Sequence, residues 1–334
     1  MKKVNKCITD SPLICADWGT TNLRLFLVNA ATGTIQASIR YARGILNIHH
    51  EIIRNNQEHL RTQLFRTQLQ EGVDALSQEA GTDLSGTDII LSGMASSSIG
   101  IKLIPYSSIP FSLTSGQLMH AWLDPMTGFS NRVLILSGLS VADDVMRGEE
   151  VQALGWYLSA GMSGKLTLLL PGTHSKHIFI ENGRILAFKT YLTGELFQVL
   201  LEHSILNVPG KTNENENPDQ AFRLGVEASE SQALLHELFK IRALTLQDHL
   251  SVALVPDYLS GLLIGHELRQ LEVASDTIHL AASDQLVHRY QQAMELLGLD
   301  CYQTWDQAQL SQFTIKGQVH AWQQITSGYS EHRS

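Results

Sequence analysis

Apolar residues over the first forty positions fall into three short blocks separated by polar turns, from about Pro12 to Tyr41. Ile14 to Asp17 and Leu23 to Val28 predict a strand pair, and Thr34 to Tyr41 a third strand after a turn at Asn29 to Gly33. The spacing of Ile53, Leu60, Leu64, Phe65, Leu69, Val73 and Leu76 predicts one helix over 50–80. Asp88 to Met94 reads as a buried strand entering a Gly-Ser turn that ends at Gly100, giving a βββαβ layout. The stretch 104–129 is irregular, broken by Pro105, Pro110 and Pro125. Arg132 to Leu136 is a further strand, and a helical pattern runs from about Val145 to Leu158.

The pattern then starts again. Leu168-Leu-Leu-Pro171-Gly172-Thr173-His174-Ser175 lays over the first strand and its turn, so that Gly19-Thr20-Thr21-Asn22 meets Gly172-Thr173-His174-Ser175. A strand follows in each copy, then a turn, then another strand, Arg184 to Tyr191 in the second. Asn182-Gly183 is a type I′ hairpin signal. A helix is predicted from Thr193 to about Leu206, and the polar segment 209–220 reads as a mobile surface loop. Helices follow over 222–238, 244–252 and 256–271, then a strand over 277–281 and a helix over 283–297 capped by Ser283. Ser260, Gly261 and Gly265 share an apolar helix face, suited to close helix packing or to a ligand ring.

The repeated turn has a chemical use. Gly19 lacks a Cβ, so the turn can bring backbone N–H groups and two hydroxyls to one anion. Asp17 beside it is unsuited to phosphate and suited to Mg²⁺. Two such units, one in each half, imply two related lobes with a nucleotide between two phosphate loops. A second cluster is Asp143-Asp144-Val-Met-Arg147-Gly148-Glu149-Glu150. Either it is a solvated first turn with Asp143 or Asp144 as helix cap, or it carries a general base with Arg147 facing an anionic substrate.

Composition narrows the class. With 334 residues, 43% of them hydrophobic and 17% charged, the chain has room for two soluble globular domains. A net charge of −9 without a basic face argues against nucleic acid or an anionic membrane as partner. Cys7, Cys15 and Cys301 form no CxxC pair and fit a reducing compartment as packing residues. The basic start does not continue as an apolar signal core, and no apolar run reaches membrane length, so a cytoplasmic protein is expected.

Asp17-Trp-Gly-Thr-Thr-Asn-Leu-Arg24, Asp144-Val-Met-Arg-Gly-Glu-Glu150, Leu170-Pro-Gly-Thr-His-Ser-Lys176, Thr193-Gly-Glu-Leu-Phe197 with His203-Ser-Ile-Leu206, and Tyr258-Leu-Ser-Gly-Leu-Leu-Ile-Gly265 together resemble the 2-dehydro-3-deoxygalactonokinase family. That family belongs to the sugar-kinase and actin-like ATPase superfamily. The resemblance covers about residues 12–298, with the motifs in family order. It implies an α/β, two-lobed, ribonuclease H-like fold with a mixed sheet flanked by helices in each lobe. Residues 1–130 would form the N-terminal lobe, and 131–334 the C-terminal lobe with the adenosine site. It also implies ATP-dependent phosphorylation of the 6-hydroxyl of a 2-keto-3-deoxy sugar acid, 2-dehydro-3-deoxy-D-galactonate, in galactonate catabolism. On that reading Asp17 holds Mg²⁺, and Gly19, Thr20, Thr21 and Asn22 bracket the phosphates with Gly172, Thr173, His174 and Ser175. Ser260 and Gly261, with 281–283, border the adenosine. Asp144 is the catalytic base. Arg24, Arg43, Arg147 and Glu149 are the candidates for the sugar acid, whose carboxylate calls for a guanidinium. The expected partner is that small molecule, with a homo-oligomer left open.

The chain departs from the family pattern in places. Gly93-Met-Ala-Ser96-Ser-Ser98-Ile-Gly-Ile101 stands where the family reads Gly-Met-x-Gly-Ser-Arg-x-Gly-Trp, and Ser137 stands where a proline is usual. Trp305-Asp-Gln-Ala-Gln replaces an acidic, glycine-bearing segment. These changes leave the phosphate machinery intact and put the substrate in question: another sugar or sugar acid is an alternative, as is a non-catalytic ATP-binding regulator. Other classes have less support. Gly161-Met-Ser-Gly-Lys165 has the wrong spacing for a P-loop, and no GxGxxG follows a strand. Gly138-Leu-Ser140-Val-Ala142 after a strand is an imperfect nucleophile elbow, so a serine hydrolase is a remote reading. His174, His177 and Glu181 could suggest a metal site, but residues three apart on a strand face opposite ways.

Overall fold

The computed structural model describes residues 11–207, 217–271, 277–299 and 302–331. These form two compact units: Met1–Ser163 with Gly183–Ala187 and Leu310–Ser334, and Gly164–Asn182 with Phe188–Gln309. The division expected at 130/131 falls inside the first unit, because the strand after it pairs with the central strands of that unit.

The first unit opens with β1 (Pro12–Trp18), β2 (Leu23–Asn29) and β3 (Ile35–Tyr41), each antiparallel to the one before. Two helices follow, α1 (Ile45–Arg54) and α2 (Arg61–Ala80), then β4 (Ile89–Gly93), parallel to β1. The single helix expected over 50–80 is therefore two. Asn55 caps α1, and Asn56 takes a left-handed φ of 53°, a conformation asparagine tolerates and one that stops a helix. The irregular stretch holds the short strands β5 (Ser107–Ser108), β6 (Phe111–Ser112) and β7 (His120–Leu123). Next come β8 (Val133–Leu136), the short pair β9 (Leu139–Ser140) and β10 (Val145–Met146), and α3 (Glu149–Ala160). The main sheet order is β3-β2-β1-β4-β8-β7, and β10-β9-β5 form a small second sheet.

Strand β1 is buried on both faces. Ile14, Ala16 and Trp18 join a core with residues of α1 and α2, in which Trp18 meets Phe65 edge-on at 5.4 Å. Helix α9 (Gln307–Glu331) returns to this unit from the far end of the chain. It packs on α3 with almost no side chain between them, since a Cβ at Gly155 would lie 1.8 Å from the Phe313 carbonyl oxygen. Buried Gln318 of α9 donates to the Ala16 carbonyl at 2.7 Å and to the Ser92 hydroxyl at 2.9 Å.

The second unit repeats the first. Strands β11 (Lys165–Leu170), β12 (Ser175–Glu181) and β13 (Arg184–Tyr191) are neighbours in one sheet, with β11 and β12 antiparallel. The turn between β12 and β13 has positive φ at Asn182 (49°) and Gly183 (74°), as type I′ requires. Helices α4 (Thr193–His203), α5 (Pro218–Ala228), α6 (Leu234–Leu246) and α7 (Val255–Leu268) precede β14 (Thr277–Ala281), α8 (Asp284–Leu296) and β15 (Tyr302–Trp305). β14 is parallel to β11 and to β15. The order β13-β12-β11-β14-β15 matches β3-β2-β1-β4-β8 strand for strand.

Several expectations shift here. The helix expected over 222–238 is split between α5 and α6, and α6 already covers the start of the 244–252 segment. Ser283 stands at the N-cap of α8 without a side-chain capping bond. Of the loop expected over 209–220, residues up to 216 lie outside the described residues, as do Cys7 and Cys301. Asn217 caps α5 by accepting from the Gln220 N–H, and Pro218 starts the helix. The apolar glycine face on α7 serves packing, because Cβ atoms at Gly225 and Gly261 would lie 2.1 and 2.0 Å from carbonyl oxygens across the α5–α7 seam.

The α3–α9 contact gives a test. Gly155→Ala should cost the first unit about 1–3 kcal/mol, because two backbones must separate to admit one methyl group. A lower urea midpoint, followed by tryptophan fluorescence, is the expected result.

Candidate active site

The first turn, 19–22, links β1 to β2 and rests on the start of α1. Ile45 and Leu46 donate their N–H groups to the carbonyls of Gly19 (3.0 Å) and Thr20 (3.1 Å). Gly44, just before the helix, fits only because it lacks a side chain: a Cβ there would lie 2.0 Å from the Thr20 carbonyl oxygen. Gly19 N–H closes the turn on the Asn22 carbonyl at 2.9 Å, and the Asn22 amide donates to the Thr21 hydroxyl. Thr21 is exposed, with Gly19, Thr20 and Asn22 half-buried beside it.

Asp17, next to the last residue of β1, stands opposite Arg24 in the antiparallel register and pairs with it at 3.3 Å. Burial pushes the Asp17 carboxyl above its ordinary range, and Arg24 pulls it back only in part. On the other side lies Gly93 at the end of β4, where a Cβ would stand 3.3 Å from Asp17 Oδ1. A desolvated carboxylate with one partial countercharge suits a small divalent cation. Among the described residues no three His, Cys, Asp or Glu side chains are grouped to hold a metal. A single carboxylate beside a turn is of the kind that fits Mg²⁺, which keeps several waters and takes one or two carboxylates plus phosphate oxygens.

Asp143 and Asp144 do not cap a helix. They form the turn of the β9–β10 hairpin, where Val141 N–H donates to the Asp144 carbonyl and Val145 N–H to its Oδ1 at 2.7 Å. Residues 145–146 extend as strand, and Gly148, with φ of 104°, separates them from α3. The helix is capped by its own Glu150, which accepts the Gly148 N–H at 2.9 Å. Glu150 is 1% exposed. Burial, reinforced by the neighbouring Glu149, pushes its carboxyl up to about 8, while the Gly148 N–H and Arg147 pull the other way. Ser140 lies in β9, paired with β10 and β5, so the elbow expected of a serine hydrolase is not formed.

The three candidate arginines part company. Arg24 is paired with Asp17, and Arg43 with Glu51 at 2.7 Å on the surface. Arg147 lies 3.9 Å over the Tyr106 ring and donates to neutral groups: the Tyr106 hydroxyl (3.0 Å), the Ser96 hydroxyl (2.6 Å) and the Ile104 carbonyl (3.4 Å). Glu149 accepts the Arg147 backbone N–H at 3.0 Å.

In the second unit the turn 171–174 joins β11 to β12, with Gly172 and Thr173 exposed. Helix α4 supports it as α1 supports the first turn. Glu195 N–H donates to the Thr173 carbonyl at 2.9 Å, and a Cβ at Gly194 would lie 2.3 Å from the Gly172 carbonyl oxygen. His174 is hydrogen-bonded to Glu195, whereas His177 points to Glu267, so the two histidines do not converge. Ser175 is fully buried and donates to Glu267 at 2.6 Å, which commits its hydroxyl inward.

A cavity of about 260 Å³ opens beside this turn. Gly172, Gly194, Ser260 and Arg289 border it, with Phe197 and Leu286 among its apolar walls. Such a mixture of apolar lining and a few placed polar groups is that of a small-molecule site. Gly261 is absent from the lining, being spent on the α5 contact, as are 281–283, and α8 lines the cavity from Gln285, Leu286, Arg289 and Tyr290. Arg289 is held by Asp219 (3.0 Å) and Asp257 and lies 4.7 Å over the Phe222 ring.

The family model described as 2-keto-3-deoxy-galactonokinase matches residues 17–320. The chain belongs to that family. It is similar to a 2-dehydro-3-deoxygalactonokinase of Escherichia coli (strain K12), at 32% identity over 299 residues, 86% of this chain and 90% of that one. A candidate 2-dehydro-3-deoxygalactonokinase of Rhizobium meliloti (strain 1021) is 30% identical over 294 residues, 85% and 89% of the two chains. The crystal structure of a candidate 2-dehydro-3-deoxygalactonokinase from Sinorhizobium meliloti matches with a TM-score of 0.78 at 27% identity, covering 94% of this chain and 96% of that one.

The 2-keto-3-deoxy-galactonokinase family member described here is a sugar-acid kinase, a phosphotransferase with ATP as co-substrate. Its doubled sheet order is that of the actin-like ATPase and sugar-kinase fold. The reading as a non-catalytic regulator is set aside. Among the described residues no helix is long and apolar enough to cross a membrane.

Sequence reasoning missed Glu267, Gln318 and Glu150 as organisers of the site. The two former act on residues 92 and 302 positions away, and nothing in the local pattern signals such contacts. Glu150 supplies a pH test. A carboxyl raised from 4.5 to about 8 in the folded state binds more protons there than in the unfolded chain, so its contribution is fully present below about 4.5 and lost as pH rises through about 8. Glu150→Gln keeps an acceptor for Gly148 and removes the ionisation. Thermal melts from about pH 5 to pH 9 should decline less steeply for the variant than for the wild type.

Proposed function

We propose that this protein is a cytoplasmic enzyme of galactonate catabolism that transfers the terminal phosphoryl group of ATP to the 6-hydroxyl of 2-dehydro-3-deoxy-D-galactonate. The observation that carries this reading is the paired turn: the same strand–GT–strand unit, braced by a helix start, occurs in both halves of a chain of this family.

In this reading Asp17 would hold Mg²⁺, and its withdrawal from solvent beside the first turn supports that role. When bound, Mg²⁺ neutralises phosphate charge, and ATP presents its terminal phosphoryl group in line with the acceptor. Thr20, Thr21 and Asn22 offer backbone N–H groups, and the two threonines their hydroxyls, to the phosphates, while Gly19, whose own N–H closes the turn on Asn22, leaves room for their approach; Gly172, Thr173 and His174 do the same in the second turn. Ser175 serves the second turn from behind. Ser260 borders the adenosine. Asp144 orients the sugar hydroxyl and takes its proton as the new O–P bond forms and the bond from the terminal phosphorus to the bridging oxygen breaks, releasing ADP. Arg147 binds the substrate carboxylate, since among the described residues its guanidinium hydrogen-bonds to neutral groups, where Arg24 and Arg43 each pair with a carboxylate. Glu149 accepts the Arg147 backbone N–H and so fixes the root of that side chain.

ADP formation with Mg-ATP should be followed across 2-dehydro-3-deoxygalactonate, its gluconate epimer and simple hexoses. Turnover on the galactonate compound alone is expected. Turnover only on another acid would keep the kinase and shift the substrate, with 96–101 the first place to look because Ser96 touches Arg147. Asp144→Asn should lower kcat by roughly 100-fold or more, and unchanged turnover would remove Asp144 as the base. Arg147→Gln should raise KM for the sugar acid by roughly tenfold while leaving KM for ATP in place.

A further inference from the structure

Glu267, in the last turn of α7, is 2% exposed and has no basic side chain other than a histidine against it among its described partners. Burying a carboxylate is costly unless hydrogen bonds replace its water. Here four donors do so. Oε1 accepts from the Ser175 hydroxyl at 2.6 Å and from His177 Nε2 at 3.0 Å. Oε2 accepts from the Tyr290 hydroxyl at 2.8 Å and from the Thr193 hydroxyl. Ser175 and His177 lie on one face of β12, two residues apart, so both reach the same oxygen.

The donors come from three elements. Ser175 is the exit of the second turn, Thr193 is the first residue of α4, and Tyr290 belongs to α8. Thr193 and Tyr290 both line the 260 Å³ cavity, and Thr193 is followed by Gly194, which rests on the turn at Gly172. One carboxylate therefore ties the turn and two walls of the cavity to a third helix.

We infer that Glu267 is a positioning residue for nucleotide: it presets the second phosphate turn and the cavity width before ATP arrives. This rests on the ATP reading of the cavity. The charge does not touch the nucleotide. It acts by keeping Ser175, Thr193 and Tyr290 each in a single rotamer, so that binding need not order them.

The test measures ADP binding by calorimetry together with steady-state KM and kcat, on the wild type, Tyr290→Phe, Glu267→Gln and the double variant. Tyr290→Phe removes one hydroxyl from a buried ring and keeps the fold even where Glu267→Gln does not. Either substitution should weaken ADP binding and raise KM for ATP roughly tenfold, with KM for the sugar acid moved less than about twofold. A purely structural role would lower the melting temperature and kcat and leave both KM values alone. Because Tyr290 acts through Glu267, the double variant should lose little more than Glu267→Gln alone. Additive losses would mean that Tyr290 meets the nucleotide itself and would overturn the inference. Wild-type affinity in the two single variants would also overturn it. If the wild type binds no ADP, the ATP reading fails first and this inference falls with it.

Discussion

The closeness of backbone to backbone at the two turns is the constraint on which the rest of the site depends. Gly44 against Thr20, and Gly194 against Gly172, leave no room for even a methyl group. The contacts bring a helix start up behind each turn, where free N–H groups bond its carbonyls. The carbonyls of Gly19, Thr20 and Thr173 are thus occupied from behind, while Thr21 in the first turn and Gly172 and Thr173 in the second stay exposed in front. The same solution in both units is what a duplicated sheet would carry along with its strand order.

The carboxylates of Asp17, Glu150 and Glu267, all largely withdrawn from solvent, are accommodated in three ways. Asp17 has an arginine beside it, Glu150 holds a proton into the neutral range, and Glu267 collects hydroxyls and an imidazole. Each solution matches a different use of the charge. An incompletely neutralised carboxylate attracts a cation, a protonated one caps a helix without repelling anions, and a saturated one holds its neighbours still. Net acidity of the chain is therefore compatible with an anionic ligand, because the carboxylates near the turns are paired, protonated or enclosed.

Much of the sheet was legible in the chain, since strand blocks bounded by Gly, Asn and Pro signal themselves locally. β14 was placed to the residue, and the second turn was found by laying it over the first. What failed to show was decided by single residues or by distance. Asn56 broke a helix that its apolar spacing continued, and Gly148 delayed α3 until after a strand pair. The glycines of α7 read as ambiguous until α5 was seen against them. At the site, the turns and the acidic cluster were recognisable from composition. Which arginine hydrogen-bonds to neutral groups, and which glutamate gathers the hydroxyls, depended on partners far along the chain.

Helix α9 carries a consequence for how the protein is made. It belongs to the first unit, lies against α3 and reaches β1 and β4 through Gln318, yet it is synthesised after the whole second unit. On a ribosome the first unit must wait, its α9-facing surface open, while about a hundred and fifty residues emerge between α3 and α9. The second unit lacks such a late helix and can close earlier. Nascent chains paused before 307 would therefore expose the Ala16 carbonyl and the Gly155 seam, the surface on which a chaperone would be expected to act.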